Sequence, residues 1–252
     1  MLVSHESPIC LLEESRKYND YDYALIHLFE QIPEYYTFFK ESLKQGRVVY
    51  LDNSIFELGK AFDSTKFTNV CEEFYKINKN NFYYIIPDSL ENKDETIQQF
   101  KDFSFKKGNK IGVVQGKTFD EINDCFEFMK ENADIVAISF DYSYYLNTSG
   151  SNKYEKFMNG RIELINKLNI KDTKIHLLGC SLPQEFYAYK NIPEIISCDT
   201  SNPIVHGILG IKYNNGLMNK ESIKLVDLIH SDLNNNKDII YYNIKKFKDF
   251  TK

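Results

Sequence analysis

Acidic, amide and hydroxyl side chains stand at the ends of several short apolar runs in this sequence. They are Asp52, Asp88, Gln115, Ser139 and Asp199. A single Asp in such a place can cap the next helix or turn the chain. Three carboxylates and an amide that converge are costly to bury unless they hold a polar ligand. We therefore expect these side chains to form an active site that holds a polar ligand.

The apolar runs that carry these residues have the length and composition of buried parallel strands. They cover residues 23–29, 48–52, 82–88, 110–115, 134–139, 174–179 and 194–199. Helical patterns separate them: one begins at Ser64, one follows a capping pair of Thr118 and Glu121, and one follows Ser181 and Gln184. A late amphipathic helix is predicted over 220–233, and a polar loop over 234–237.

Strands that alternate with helices about seven times predict either a β/α barrel or an open doubly wound sheet. The glycine-rich nucleotide-binding fingerprints of open sheets are absent from the sequence, which favours the barrel. The predicted fold is α/β, a (β/α)8-type TIM barrel in a single domain over residues 1–252. The eighth strand is not obvious and could be irregular; residues 207–213 and 238–242 are the candidates.

Composition narrows the functional class. The net charge of −5 argues against a protein that coats nucleic acid, although a local basic patch stays possible. Five scattered cysteines with no C-x-x-C pair predict reduced thiols in a cytoplasmic protein without a metal site. The sequence contains no apolar run long enough for a membrane span. No cofactor motif is present, so we expect none to be needed.

Four segments together resemble a known family. They are LDNSIFE (51–57), VVQG (113–116), LLG (177–179) and SCDTSNP (197–203). In order and spacing they are similar to the D-S-G-G-F-Q, V-Q-G, L-M-G and F-D-C-V-L-P motifs of the tRNA-guanine (queuine) transglycosylase superfamily. The similarity spans roughly residues 45 to 210. It implies a glycosyltransferase that exchanges one base for another.

The resemblance also implies roles for individual residues. Asp199 matches the nucleophile that forms a glycosyl-aspartyl intermediate, and Asp52 matches a second catalytic Asp near the sugar and base. Asp88 and Gln115 match the side chains that bind a guanine-like ring. The remaining substrate-binding positions implied by the family are Phe56, Gly116, Ser139, Leu178 and Gly179. Of these, Phe56 and Leu178 match the two side chains that sandwich the base.

Departures from the family pattern affect the expected substrate. The family's zinc-binding C-x-C-x-x-C segment is missing, since no cysteine follows Asp199. The chain is also shorter than the usual tRNA enzymes, and Ile204, Val205 and His206 replace their basic residues. The sequence is therefore most similar to phage and bacterial DNA transglycosylases. These exchange guanine in DNA for a 7-deazaguanine base such as 7-cyano-7-deazaguanine.

Several alternatives stay open at this stage. The substrate could be tRNA, or water could replace the incoming base and release a free deazaguanine. The chain could also be a silent partner subunit that binds nucleic acid, or an unrelated barrel enzyme for a small sugar or nucleoside. A homodimer or a partner protein that supplies basic surface is compatible with the charge. The tyrosines 142, 144 and 145 could stack on extruded bases or simply pack a loop.

Overall fold

The computed structural model of this protein describes residues 1–233 and 236–252. Part of the loop predicted over 234–237 therefore lies outside the described residues. Eight strands pair in the order β1-β8-β7-β6-β5-β4-β3-β2, with β1 and β2 at the two ends of that order. They are β1 (Leu2–His5), β2 (Asp22–Leu25), β3 (Val49–Asp52), β4 (Phe82–Ile85), β5 (Asn109–Val113), β6 (Ile135–Ser139), β7 (Ile175–Leu178) and β8 (Ile195–Thr200).

Helices alternate with these strands along the chain. They are α1 (Leu12–Ser15), α2 (Ile26–Gln31), α3 (Pro33–Lys44), α4 (Ile55–Leu58), α5 (Ser64–Asn78), α6 (Lys93–Asp102), α7 (Phe119–Asn132), α8 (Lys153–Lys167), α9 (Asn202–Ile208) and α10 (Lys237–Phe250). The predicted fold class, an α/β (β/α)8 barrel, is confirmed. None of the helices within the described ranges is both long and apolar enough to cross a bilayer.

The strand missing from the sequence prediction is β1, at the N-terminus. It pairs in parallel with β8, and Ser4 lies opposite Asp199. Both predicted locations are wrong: residues 207–213 end α9 and turn away, and residues 238–242 lie in α10. The apolar spacing in α10 is helical, because Ile240 and Ile244 bury together against α9. Strand β1 does not stand out as an apolar run in the sequence, since half of its four residues are polar.

Other boundaries also differ from the predictions. The run 23–29 is a strand only to Leu25, after which the chain enters α2. The predicted helix over 220–233 contains only a 3₁₀ turn, Leu225–Leu228. Ser181 and Gln184 do not form a capping pair, because Gln184 bonds the backbone of Leu217 instead. The predicted starts of α5 and α7 are confirmed, and Thr118 accepts a hydrogen bond from the Glu121 N–H.

The described residues group into two compact units. The first unit contains Met1–Asp20 and Ile138–Lys252, and the second contains Tyr21–Ala137. In the second unit, Tyr21, Tyr50 and Tyr83 form a row of rings, with neighbouring centroids 4.5 and 4.9 Å apart. In the first unit, α9 packs closely on α10 at Gly207, where a side chain would collide with Ile240. The prediction of one domain over 1–252 stays a prediction.

Candidate active site

The second unit gathers three polar side chains after neighbouring strands. Asn53 follows β3, Asp88 follows β4 and Gln115 follows β5, and all three are at most 3% exposed. We call these residues the acid–amide cluster. The Asn53 Nδ2 donates to Asp88 Oδ1 at 2.7 Å, and the Gln115 Nε2 donates to Asp88 Oδ2 at 2.6 Å. The predicted association of Asp88 with Gln115 is thus present as a direct hydrogen bond.

Backbone contacts fix the orientation of both amides. Asn53 also donates to the Ile86 carbonyl and accepts from the Ile55 N–H, while the Gln115 Oε1 accepts from the Glu91 N–H at 2.8 Å. Gln115 therefore has to present its NH₂ group to Asp88. That group carries two hydrogens, and the second has no partner among the described residues. A carboxylate has about four acceptor positions, so Asp88 can accept further hydrogen bonds.

Burial sets the protonation behaviour of Asp88. Desolvation raises the pKa of this carboxyl to about 6, because the charged form loses its hydration. The hydrogen bonds from Asn53 and Gln115 oppose the shift, since both donate to the ionised form. Asp88 is therefore ionised at neutral pH and becomes protonated in mildly acidic solution.

The raised pKa predicts a pH-dependent contribution to stability. The folded protein keeps the Asp88 proton up to about pH 6, whereas an unfolded chain releases it near pH 4. The contribution of protonated Asp88 to the free energy of unfolding is fully present below about pH 4, and it is lost as the pH rises through about 6. We expect a loss of about 2–3 kcal/mol, at about 1.4 kcal/mol per pKa unit. Denaturant unfolding at pH 4 to 7 should show this slope in wild type relative to Asp88→Asn. Parallel curves for the two proteins would contradict the prediction.

Asp52 makes a separate set of contacts in the second unit. Its Oδ2 accepts from the Tyr23 hydroxyl, and its Oδ1 accepts from the Ser54 N–H. Asp52 thus holds the turn that leads from β3 into α4, in addition to any catalytic role. Phe56 lies on α4 and is 38% exposed. Gly116 packs against the first turn of α7, where a side chain would meet the backbone of Ile122.

Ser54 occupies the left-handed backbone region, with φ of 60°. The D-S-G-G-F-Q motif that this segment resembles has glycine at this position, and glycine adopts such a φ without steric cost. We expect Ser54→Gly to change the unfolding free energy by less than about 1 kcal/mol. Ser54→Val should lose about 1–3 kcal/mol, because a β-branched residue tolerates this conformation poorly. Chemical denaturation of both variants measures the difference, and equal stabilities would show that the turn is not strained.

The first unit holds the predicted nucleophile, Asp199, near the end of β8. Its side chain is surrounded by donors from β7 and the turn after it. The His176 Nε2 lies 3.1 Å from Asp199 Oδ1, and the Gly179 N–H contacts Oδ1 at 3.2 Å and Oδ2 at 3.3 Å. On the other side of the imidazole, His176 Nδ1 lies 2.9 Å from the Ser197 hydroxyl. We call these four residues the Asp199 group.

A buried ion pair supports the turn after β7. Arg161 of α8 is fully buried, with Nε 2.6 Å from Glu185 Oε1 and Nη2 3.0 Å from Oε2. Its remaining N–H groups donate to the carbonyls of Ile138, Leu178 and Gly179. All five guanidinium donors are thus used. Because two of these carbonyls flank the Gly179 peptide, Arg161 helps to fix the N–H that contacts Asp199.

The other predicted residues of the first unit have mixed roles. Gly179 has φ of 62°, and a Cβ there would collide with the Phe140 ring, so this position requires glycine. Leu178 ends β7 and is partly buried. The Ser139 carbonyl accepts from the Tyr145 hydroxyl. Tyr145 and Tyr142 are buried, which favours the packed-loop interpretation for both of them.

The remaining candidate residues of the first unit are buried in its core. Cys198 is fully buried, and burial raises the pKa of its thiol well above the usual range, so it is a poor nucleophile. The His206 Nδ1 contacts the Asn202 carbonyl at 2.8 Å inside α9. Within residues 1–233 and 236–252, no group of three or more His, Cys, Asp or Glu side chains is placed to hold a metal ion.

Sequence reasoning missed the roles of Asn53, of His176 and of the Arg161–Glu185 ion pair. Asn53 lies within the quoted motif, but its side chain was not assigned a role. His176 was expected to be a packed core histidine, and it is buried as expected, yet it also contacts Asp199. The available signal was a histidine at an inward strand position two residues before Leu178. The Arg161–Glu185 pair gave no local signal, because the two residues are 24 positions apart.

Comparisons with known proteins give no family. No family model matches the chain, and no curated protein matches it. Among solved structures, an alanine racemase from Oenococcus oeni has a TM-score of 0.38 and 11% identity, covering 78% of this chain and 55% of the racemase. The chain thus spans little more than half the length of that protein. A putative fructose-1,6-bisphosphate aldolase from Coccidioides immitis has a TM-score of 0.36 and 8% identity, covering 96% and 95% of the two chains.

Proposed function

We propose that this protein is a base-exchange transglycosylase. It replaces guanine in a nucleic acid, preferably DNA, by a 7-deazaguanine base, and Asp199 carries the sugar between the two steps. The observation that carries the proposal is the buried Asp88 carboxylate, which amides hold at both oxygens. The resemblance of the four sequence motifs supports the same assignment.

The acid–amide cluster suits the edge of a guanine-like base. Guanine presents two adjacent donors, N1–H and the 2-amino group, beside an acceptor, O6. An ionised Asp88 can accept from both donors, and the second NH₂ hydrogen of Gln115 can donate to O6. Adenine lacks this donor pattern. Because the cluster is buried, a ligand that failed to satisfy it would leave a charge and an amide without partners.

The covalent steps use Asp199 as the nucleophile. Its carboxylate attacks the anomeric carbon, a C1′–O bond forms, and the C1′–N9 bond of guanine breaks. The electron pair of that bond goes to N9 of the leaving guanine. The N9 of the incoming deazaguanine then attacks C1′, and the C1′–O pair returns to Asp199. The N9 proton lost by the incoming base balances the proton gained by guanine. Two inversions give net retention, as in retaining glycosidases.

The preference for DNA follows from the departures in the sequence. The zinc-binding segment and the basic residues that accompany tRNA recognition in the family are missing after Asp199. A net charge of −5 also predicts weak non-specific affinity for any polyanion. A partner protein or a second copy of the chain could supply basic surface.

Trapping the glycosyl-enzyme tests the proposal. Wild-type protein is incubated with guanine-containing DNA and separately with tRNA, and the denatured protein is weighed by mass spectrometry. A matched oligonucleotide with inosine in place of guanine lacks the 2-amino group read by Asp88. We expect a covalent adduct with the guanine DNA, much less with the inosine DNA, and none with Asp199→Asn.

Each other outcome identifies an alternative. An adduct with tRNA alone would keep the chemistry and change the polymer. Release of a free deazaguanine from modified DNA, without exchange, would indicate a hydrolase. The absence of an adduct with either polymer, even with 7-cyano-7-deazaguanine supplied, would overturn the proposal in favour of a silent subunit or a small-molecule enzyme.

A further inference from the structure

The Asp199 group is asymmetric around the carboxylate. Oδ1 lies near two N–H groups, from His176 at 3.1 Å and Gly179 at 3.2 Å. Oδ2 has the Gly179 N–H at 3.3 Å as its hydrogen bond within the described ranges. An oxygen that accepts fewer hydrogen bonds keeps more of its lone-pair density for attack. The two oxygens of Asp199 are therefore chemically different before any substrate binds.

The strands impose this asymmetry. His176 on β7 is paired in register with Ser197 on β8, and Asp199 follows two residues later on the same face of the strand. An ionised carboxylate only accepts hydrogen bonds, so the His176 Nε2 has to donate to Oδ1. In a neutral imidazole, Nδ1 then accepts, and the Ser197 hydroxyl has to donate to it. The chain of donors runs from Ser197 through His176 to Asp199.

We propose that His176, held by Ser197 as the Nε2–H tautomer, is a positioning residue that makes Oδ2 of Asp199 the attacking atom. This inference rests on the proposed function for its catalytic part. The C1′–Oδ2 bond forms as the C1′–N9 bond breaks and its electron pair leaves with guanine, while Oδ1 becomes the ester carbonyl and keeps its hydrogen bond from His176. In the second step the electron pair of C1′–Oδ2 returns to the carboxylate. The His176 N–H then stabilises the charge that develops on Oδ1.

A tautomer measurement tests the arrangement without any substrate. The chain contains five histidines, so a long-range ¹H–¹⁵N spectrum of protein labelled at histidine is simple, and loss of a signal in His176→Gln assigns His176. We expect Nε2 to be protonated and Nδ1 unprotonated at pH 7. An Nδ1–H tautomer or an imidazolium at His176 would overturn the donor chain from Ser197 to Asp199.

Transfer of the sugar from the adduct to an incoming base tests the catalytic part. His176→Leu removes the donor and should slow this second step, in which negative charge returns to Oδ1, by about 100-fold or more, as for other lost oxyanion donors. His176→Gln keeps an N–H at the same distance from the backbone and should stay within about 10-fold of wild type. His206→Gln, a buried histidine of α9 outside the Asp199 group, is the matched control and should leave the rate unchanged.

The outcomes separate this inference from the proposed function. If an incoming base resolves the wild-type adduct and resolves the adduct of a folded His176→Leu equally fast, the positioning role is overturned. If His176→Leu does not fold, His176→Gln decides, because a 100-fold loss there would show that an N–H donor alone is insufficient. If wild type forms no adduct, the proposed function fails, and the tautomer measurement still decides whether His176 donates to Asp199.

Discussion

Replacing Asp199 by asparagine should slow formation of the glycosyl-enzyme by about 10⁴-fold or more, the loss typical of a removed nucleophile. The amide has no anionic oxygen to attack C1′. It has nearly the same shape, and its carbonyl oxygen can still accept from His176 and Gly179. Folding should therefore be preserved. Single-turnover adduct formation, followed by intact mass, measures the effect.

An exposed acidic residue of the same unit provides the control for this variant. Asp172 is exposed in the turn before β7 and has φ of 61°, a conformation that asparagine tolerates well. Asp172→Asn makes the same chemical change and should retain the wild-type rate. The loss expected for Asp199→Asn is about 10⁴-fold. If the folded variant instead forms the adduct at a rate within about 10-fold of wild type, Asp199 is not the nucleophile.

Replacing Glu185 by glutamine should lower the free energy of unfolding by about 3–5 kcal/mol. The variant leaves the charge of Arg161 buried without its counter-ion, and it turns an amide NH₂ toward guanidinium donors. The Tyr189 hydroxyl, which donates to Glu185 Oε1 at 2.6 Å, would also lose part of its acceptor. Equilibrium unfolding in urea at pH 7 measures the loss through the transition midpoint.

Glu163 provides a matched comparison on the surface of the same unit. It forms an exposed i,i+4 pair with Lys167 on α8, at 4.0 Å. Exposed pairs contribute little because water screens them, so Glu163→Gln should change the unfolding free energy by less than about 0.5 kcal/mol. If Glu185→Gln proves as mild as Glu163→Gln, the buried pair is not a principal support of the turn after β7.

The fold was predictable because its strands are buried on both faces. Continuous apolar runs such as 110–115 and 134–139 lack the regularly spaced polar residues of an amphipathic helix. They coincide with β5 and β6. Strand β1 was not predictable in this way, since Ser4 and His5 interrupt the apolar pattern. Its pairing with β8 joins residues nearly 200 positions apart, which local periodicity cannot indicate. The segment 220–233 has helical spacing, but Leu225 packs into the core formed with α9 and α10 from a short turn.

The candidate site was predictable to the level of strand ends. Parallel strands place their C-terminal residues at one edge, so Asp88 and Gln115 could be expected to meet. The supporting contacts depend on side-chain direction and on long-range pairing. Asn53 reaches Asp88 across 35 positions, and Arg161 reaches the carbonyl of Gly179 across 18. Neither contact leaves a pattern in the sequence around it.

The shared face of β1, β7 and β8 carries polar groups where apolar ones would pack better. Ser4 lies opposite Asp199, is fully buried, and its hydroxyl has no partner among the described residues. Such a group destabilises a core by about 1–3 kcal/mol. Selection for heat resistance alone would therefore tend to replace this face with alanine, valine and leucine. A thermostable descendant obtained in that way would trade activity for stability, and its loss of function would begin at the residues around Asp199.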